Sequence, residues 1–207
     1  MQERLTYIAA MPESRPPIEL QGLNLGELQA LIDQRRLPPV DQWNPERCGH
    51  SAMRIARDGT WFYRGTPINR LPLVKLFASV LRRDDDGIYR LVTPAERGRV
   101  VVDDVPFVAV SVDGEGQGRD QHLTFRTNLD EIVTAGPEHP LRVETNEEGE
   151  PAPYILVRPG LEARLLRPVF YELVDLAAEE TIDGEVRFGV WSGGMFFHLG
   201  DPGEDDE

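Results

Sequence analysis

Asp-Gly turns divide this chain into short apolar segments, and that limits it to a fold of short strands and short helices. Met53–Ala56 and Trp61–Tyr63 flank Asp58-Gly59, a strong hairpin signal because glycine supplies the positive φ that tight turns demand. Pro67 ends that hairpin. Pro72 suits the first turn of a helix carrying Leu73, Leu76, Phe77, Val80 and Leu81 at helical spacing. Asp84-Asp85-Asp86-Gly87 closes it before a strand at Ile88–Val92. Upstream, Asn24-Leu-Gly-Glu27 reads as a capping box that opens a short helix, stopped by Pro38 and Pro39. Residues 1–20 lack periodicity and read as a mobile N-terminal lead-in.

From Glu96 the texture turns to β. Val100–Val102, Phe107–Val112, His122–Arg126, Leu141–Thr145 and Tyr154–Val157 read as strands, with Gly114, Gly116 and Gly118 in a hairpin loop. Pro159-Gly160 breaks the chain. Pro168–Glu179 reads as a helix with Val169, Phe170, Leu173, Val174 and Ala177 on one face. Asp183-Gly184 then leads into a terminal hairpin, Glu185–Trp191 and Met195–Leu199. Residues 201–207 form an acidic tail, expected to be disordered. An apolar helix, an Asp-Gly turn and a strand thus occur twice, at Leu73–Val92 and at Leu166–Trp191, which is a weak internal repeat.

Charge sharpens the division. The net charge of −14 splits into +2 for residues 1–95 and −16 for residues 96–207, of which five acids lie beyond Gly200. The expected organisation is therefore an N-terminal α+β domain at 21–95 and a C-terminal domain at 96–200. An acidic second unit repels phosphate backbones, so duplex nucleic acid is excluded as a partner. No apolar run approaches the roughly 18 residues a membrane span needs, and residues 1–10 have no continuous apolar core. The single cysteine, Cys48, excludes a disulfide framework and reads as a small core residue. These features lead to the expectation of a cytoplasmic protein with no membrane partner.

No strong catalytic motif is present. The chain lacks a phosphate-binding glycine loop, a dinucleotide fingerprint and a His-Glu-x-x-His pair, and its four histidines show no metal-ligand spacing. No metal or cofactor is expected. The informative residues sit where strands end and helices begin, the usual place for ligand sites. They are Arg70 before a helix, Thr127 and Asn128 after a strand, and Arg158, Glu162 and Arg167 around another helix start. Asp104 needs a basic partner across the fold to act. A structural alternative pairs Arg158 with Glu162 and lets Thr127 and Asn128 cap a turn.

The blocks Leu37-Pro-Pro-Val-Asp-Gln-Trp43-Asn-Pro45, Asp58-Gly-Thr-Trp61-Phe-Tyr-Arg-Gly65-Thr-Pro67-Ile-Asn-Arg70, Val102-Asp-Asp-Val-Pro106-Phe107, Arg158-Pro-Gly-Leu-Glu162-Ala163 and Val190-Trp-Ser-Gly-Gly194-Met-Phe-Phe197 occur in this order. Together they resemble the bacterial family called domain of unknown function 1285, over about Leu37 to Gly200. The resemblance implies an α+β protein of two small domains related by duplication. The C-terminal one would be a pleckstrin-homology-like β-sandwich or barrel with a helix. It also implies a ligand site at the domain interface for a nucleotide-like molecule, and a role in signalling.

The leading expectation is a protein that binds an anionic, nucleotide-based small molecule. Arg70, Arg158 and Arg167 would meet its charge, Asp104, Thr127, Asn128 and Glu162 would supply polar contacts, and Trp61 would give an apolar wall. One alternative is a small-molecule phosphoester hydrolase with Asp104 or Glu162 as general base. Another is a protein-interaction module with a protein partner.

Overall fold

The computed structural model describes residues 38–200 apart from 146–148 and 183. The expected lead-in, the helix after Asn24 and the acidic tail lie outside the described residues. Described residues are mostly β, with two nine-residue helices, in an α+β arrangement of two domains.

The first domain holds β1 (Cys48–Ile55), β2 (Trp61–Tyr63), β3 (Thr66–Pro67), α1 (Leu71–Ser79), β4 (Leu81–Arg83), β5 (Tyr89–Val92) and β6 (Arg97–Val102). They form one six-stranded sheet, ordered β3-β2-β1-β6-β5-β4. The β1–β2 hairpin turns at Asp58-Gly59 as expected, with Gly59 at φ +82° and the Asp58 side chain accepting from the Thr60 N–H at 2.9 Å. The strand Arg97–Val102 pairs with β1 and β5. By strand pairing, then, the boundary falls after Val102 rather than at residue 95. The change of texture at Glu96 therefore does not mark the domain boundary, since the first domain is itself built on a six-stranded sheet that includes Arg97–Val102.

The second domain holds β7 (Phe107–Glu115), β8 (His122–Thr127), β9 (Ile132–Thr134), β10 (Leu141–Thr145), β11 (Pro151–Arg158), β12 (Leu161–Leu165) and α2 (Arg167–Asp175). A last meander follows, β13 (Ala178–Ile182), β14 (Glu185–Ser192) and β15 (Met195–His198). The first six strands form a sheet ordered β10-β11-β12-β7-β8-β9, and the meander forms a third sheet. Ser192 ties the two together. Its hydroxyl donates to the Ala135 carbonyl at 2.7 Å and accepts from the Leu123 N–H at 2.9 Å.

Both six-stranded sheets share one topology. Each joins two three-stranded meanders by pairing the first strand of one in parallel with the last strand of the other, β1 with β6 and β7 with β12. The helices differ in place. α1 lies between the two meanders, whereas α2 follows both.

Several elements depart from the sequence reading. The second helix stops at Asp175 instead of reaching Glu179, because residues from Ala178 pair with β14. Leu81 leaves the first helix and joins β4. Leu161–Leu165, read as a lead to a helix, is the central strand β12. Cys48 is exposed at the start of β1 rather than in the core, with its Sγ accepting from Arg97 Nε at 2.9 Å.

One buried apolar cluster runs through both domains. It includes Ile55, Trp61, Leu81 and Leu91 from the first and Phe107, Phe125, Ile155, Leu161 and Leu173 from the second. Burial of such side chains contributes roughly 1.5–3 kcal/mol each, so the shared core fixes the domains against each other. No helix among the described residues is long and apolar enough to cross a membrane.

Candidate functional site

The polar residues singled out in the sequence fall into four separate places. Arg158, at the end of β11, is buried at the domain boundary. Its Nη2 donates to Glu131 Oε1 at 3.1 Å and to the Ala78 carbonyl at 3.0 Å, and its guanidinium lies 5.3 Å from the Phe107 ring centroid. Burial pushes the Arg158 guanidinium below its ordinary pKa and the Glu131 carboxyl above its own, and each partner's charge opposes that shift. The Arg158–Glu162 pairing of the structural alternative does not form. Glu131 takes that place.

Thr127 and Asn128 hold the same region together. The buried Thr127 hydroxyl accepts from the Glu131 N–H at 3.1 Å, closing the turn that presents Glu131. Asn128 Oδ1 accepts from the Val108 N–H at 3.2 Å, and the Asn128 N–H donates back to the Val108 carbonyl at 2.8 Å. These are turn and strand-end contacts, as the structural alternative expected. Trp61 is 1 % exposed and stacks on Phe77, with ring centroids 6.4 Å apart, so it forms core and offers no wall to a ligand. Arg70 is exposed at the start of α1, where its backbone carbonyl accepts from the Leu73 and Val74 N–H groups.

Asp104 and Glu162 belong to a charged row across the second sheet. The register aligns Arg142 with Tyr154, and Tyr154 with Arg164, on β10, β11 and β12. Arg142 grips Glu162 with two hydrogen bonds, 2.6 and 2.7 Å, and its guanidinium lies 4.3 Å from the centroid of the Tyr154 ring. Asp104 accepts from the Tyr154 hydroxyl at 3.1 Å and from Arg164 at 3.2 Å, with Arg57 at 3.5 Å. Burial, then the Asp104 charge, raises the Tyr154 phenol above its usual value. The basic partner that Asp104 required across the fold is therefore present twice, as Arg57 and Arg164.

Those two arginines face a cleft of about 390 Å³ between the domains. Arg57 and Asp58 of the β1–β2 turn form one lip. Pro151 and Pro153 of β11, Leu165 of β12, and Leu166, Phe170 and Tyr171 around α2 form the apolar wall. Arg164 and Arg167 add two more guanidinia, and Glu150 faces Arg167. Both Glu150 carboxylate oxygens lie 2.7 Å from Arg167 Nη2. Within the lining the three arginines exceed Asp58 and Glu150 by one positive charge, although the second domain, which supplies Glu150, Arg164 and Arg167, is strongly negative overall.

Of the residues chosen from the sequence, Arg167 lines this cleft and Asp104 touches two of its arginines. Arg70, Trp61, Thr127, Asn128, Arg158 and Glu162 do not line it. Arg57, Arg164 and Glu150 were missed. The signal for Arg164 was period-2 spacing with Glu162, which becomes visible only when Leu161–Leu165 is read as a strand.

A second, wider cavity of about 800 Å³ lies between the β4–β5 turn and Pro159-Gly160. Its central carboxylate, Asp84, is held by Arg82 at 2.6 Å, Arg90 at 2.7 Å and Arg97 at 3.3 Å, so this cavity is walled by an internal ion network. Among the described residues no group of His, Cys, Asp and Glu is placed to hold a metal ion.

Residues 38–105 match the N-terminal domain of DUF1285, described as a domain of unknown function, and residues 106–199 match the C-terminal domain, described as a protein of unknown function. The crystal structure of a DUF1285 family protein from Silicibacter pomeroyi DSS-3 is 50% identical, covering 82% of this chain and 93% of that one, with a TM-score of 0.73. A DUF1285 family protein from Shewanella baltica OS155 is 28% identical, covering 59% of this chain and 90% of that one, with a TM-score of 0.47. No curated protein matches the chain. The chain therefore belongs to the DUF1285 family, with that family's N-terminal and C-terminal domains following one another along it.

Proposed function

We propose that the cleft between the β1–β2 turn and α2 binds an anionic small molecule with a flat apolar body, such as a nucleotide, and that the protein serves in signal transduction as its cytoplasmic receptor. One observation carries this reading. Arg57, Arg164 and Arg167 come from both domains to one cleft, beside an apolar wall that includes Phe170 and Tyr171. Guanidinia match carboxylate and phosphate oxygens with paired donors, and an apolar wall accepts a base or ring. A volume of about 390 Å³ suits a small ligand. Because Arg57 belongs to one domain and Arg167 to the other, an occupant would bridge the two, which is how a receptor couples binding to shape. The shared topology of the two six-stranded sheets supports descent by duplication, and the succession of meanders and helix in the second domain supports a pleckstrin-homology-like reading.

The test is thermal unfolding of the protein against a panel of mononucleotides and dinucleotides. A ligand at 100 times its dissociation constant adds about 2.7 kcal/mol of stability. The expected result is a shift for at least one nucleotide that is lost in Arg164→Gln. No shift with any nucleotide, or a shift that survives both Arg57→Gln and Arg164→Gln, overturns the reading. Steady turnover of a phosphoester that disappears in Asp104→Asn would instead make the cleft a hydrolase site.

A further inference from the structure

We infer that Asp104 is the positioning residue of the cleft: one of its carboxylate oxygens holds Arg57 and Arg164 side by side as a twin clamp for a terminal phosphate. The inference rests on the reading of the cleft as an anion site and adds what arranges that site and which anion it fits.

Asp104 lies on the connection between the domains, after β6 ends at Val102 and before β7 starts at Phe107. It therefore belongs to neither sheet. Its neighbour Asp103 anchors that connection to β1: Arg54 Nε donates to Asp103 Oδ1 at 2.9 Å, and the Asp103 N–H donates to the Ile55 carbonyl at 3.0 Å. Asp104 turns to the cleft arginines instead. Its Oδ2 lies 3.5 Å from Arg57 Nε and 3.2 Å from Arg164 Nη1, so a single oxygen draws one guanidinium from each domain to one point. The other oxygen, Oδ1, accepts from the Tyr154 hydroxyl at 3.1 Å, which fixes the rotation of the carboxylate. Tyr154 is buried and does not line the cleft.

A guanidinium carries five N–H donors, and Asp104 takes up one nitrogen of each arginine. An ion pair that only ties the sheet together looks different. Arg142 spends Nε and Nη2 on Glu162 and Nη1 on Glu144, and it lies outside the cleft. Arg57 and Arg164 line the cleft, and the Arg57 side chain is 58 % exposed above an Asp104 side chain that is 18 % exposed. The carboxylate is thus recessed behind the groups it arranges. Two guanidinia arriving from different segments meet an anion in two directions. A carboxylate offers two oxygens in one plane, which a single arginine fork satisfies. A phosphate monoester offers three oxygens around a tetrahedral centre and carries close to two charges near neutral pH, so it reaches both arginines at once. Holding the pair in place beforehand spares the ligand the entropy of ordering two long side chains.

The experiment is calorimetric titration with adenosine 5′-monophosphate and with benzoate, each as a separate probe. The proteins are wild type, Asp104→Asn, Tyr154→Phe, Arg164→Gln and the Asp104→Asn/Arg164→Gln double variant, with melting curves to confirm folding. Charge alone predicts that removing a carboxylate beside the anion tightens binding. Positioning predicts the opposite, a loss of roughly tenfold for the nucleotide in Asp104→Asn. Tyr154→Phe changes no charge, yet it should weaken the nucleotide by roughly twofold or more, because it frees the carboxylate to rotate. The double variant should lose less than the product of the two single losses, since Asp104 acts through Arg164, whereas a merely structural carboxylate would give the full product. Unchanged or tighter nucleotide binding in Asp104→Asn, or the full product in the double variant, overturns the positioning role while the anion site stands. Should Asp104→Asn fail to fold, Tyr154→Phe decides: a loss supports the role and unchanged affinity overturns it. Benzoate bound as tightly as the nucleotide, or more tightly, overturns the phosphate. If neither probe binds wild type, the anion site falls and the positioning role with it.

Discussion

Arg158, at the end of β11, donates a hydrogen bond of 3.0 Å to the main-chain carbonyl of Ala78 in the last turn of α1, across the domain boundary. The last carbonyls of a helix have no partner within it, and a buried guanidinium needs acceptors, so each satisfies the other. Glu131 supplies the counter-charge at 3.1 Å. An arginine that looks from sequence like a ligand contact is thus a clamp between the domains. Removing one partner of such a pair leaves the other charge buried. Arg158→Met is expected to cost about 3–5 kcal/mol in urea unfolding. Adding Glu131→Leu should restore a large part of that. A cost below about 1 kcal/mol for Arg158→Met would contradict the clamp.

Lys75 on α1 pairs with Asp130 on the β8–β9 turn at 2.6 Å, also across the boundary, and this hydrogen bond holds the Asp130 carboxyl below its ordinary value of 3.8. A lowered carboxyl contributes stability that is present above its unfolded pKa and is lost as pH falls through the folded one. Glu131 has the opposite sign. Burial raises its carboxyl above 4.5, so its contribution is complete below 4.5 and is lost as pH rises through the folded value. Urea midpoints measured from pH 3 to pH 7 should fall less steeply in acid for Asp130→Asn than for wild type. The same series should fall more steeply in acid for Glu131→Gln, because the compensating proton uptake is gone.

Gly59 lies at φ +82° in the β1–β2 turn, and a Cβ built on it would come within 2.6 Å of both Asn128 Nδ2 and Val108 Cγ2 in the second domain. Gly65 has nearly the same φ, +80°, with nothing within 4 Å. Gly65→Ala therefore meets only the left-handed backbone cost of about 1–2 kcal/mol. Gly59→Ala carries that cost and also separates the domains, and should lose about 3 kcal/mol or more by chemical unfolding. Equal losses at the two glycines would show that the contact with Asn128 and Val108 carries no weight.

Trp61 is buried, and its indole N–H has no hydrogen-bond acceptor among the described residues. Replacing it with Phe removes ring volume but also removes an unsatisfied donor, whose burial costs about 1–3 kcal/mol. Trp61→Phe is therefore expected within about 1 kcal/mol of wild type, whereas Trp61→Ala should cost about 3–5 kcal/mol. Thermal unfolding of both variants checks this. Nucleotide shifts, where present, should be the same in Trp61→Phe as in wild type, since the ring stays in the core.

Local chemistry alone was enough for the hairpin at Asp58-Gly59, the start of α2 at Pro168 and the terminal hairpin around Gly193-Gly194. In each, either a proline fixes φ or a glycine permits the positive φ a tight turn needs, whatever surrounds it. The family was legible too, because its blocks recur in order along the chain. Three-residue β4 and five-residue β12 were not legible. Such short strands gain their hydrogen bonds from partners elsewhere in the chain, and their sequences pass equally for a helix end or a loop. Missing β12 meant missing that Glu162 and Arg164 share a face, and with it the cleft.

Sequence alone, then, determined which residues could carry charge and which could bend the backbone: the arginines, the acidic second half, and the turns that cut the chain into short elements. It could not determine which arginine meets which carboxylate. Arg158 is committed to Glu131 and Ala78, while Arg57 and Arg164 converge on Asp104 beside Arg167. Those pairings depend on strand register and on how two sheets share one core. Both are set by burying apolar faces that lie far apart in the chain, and only the tertiary structure decides them.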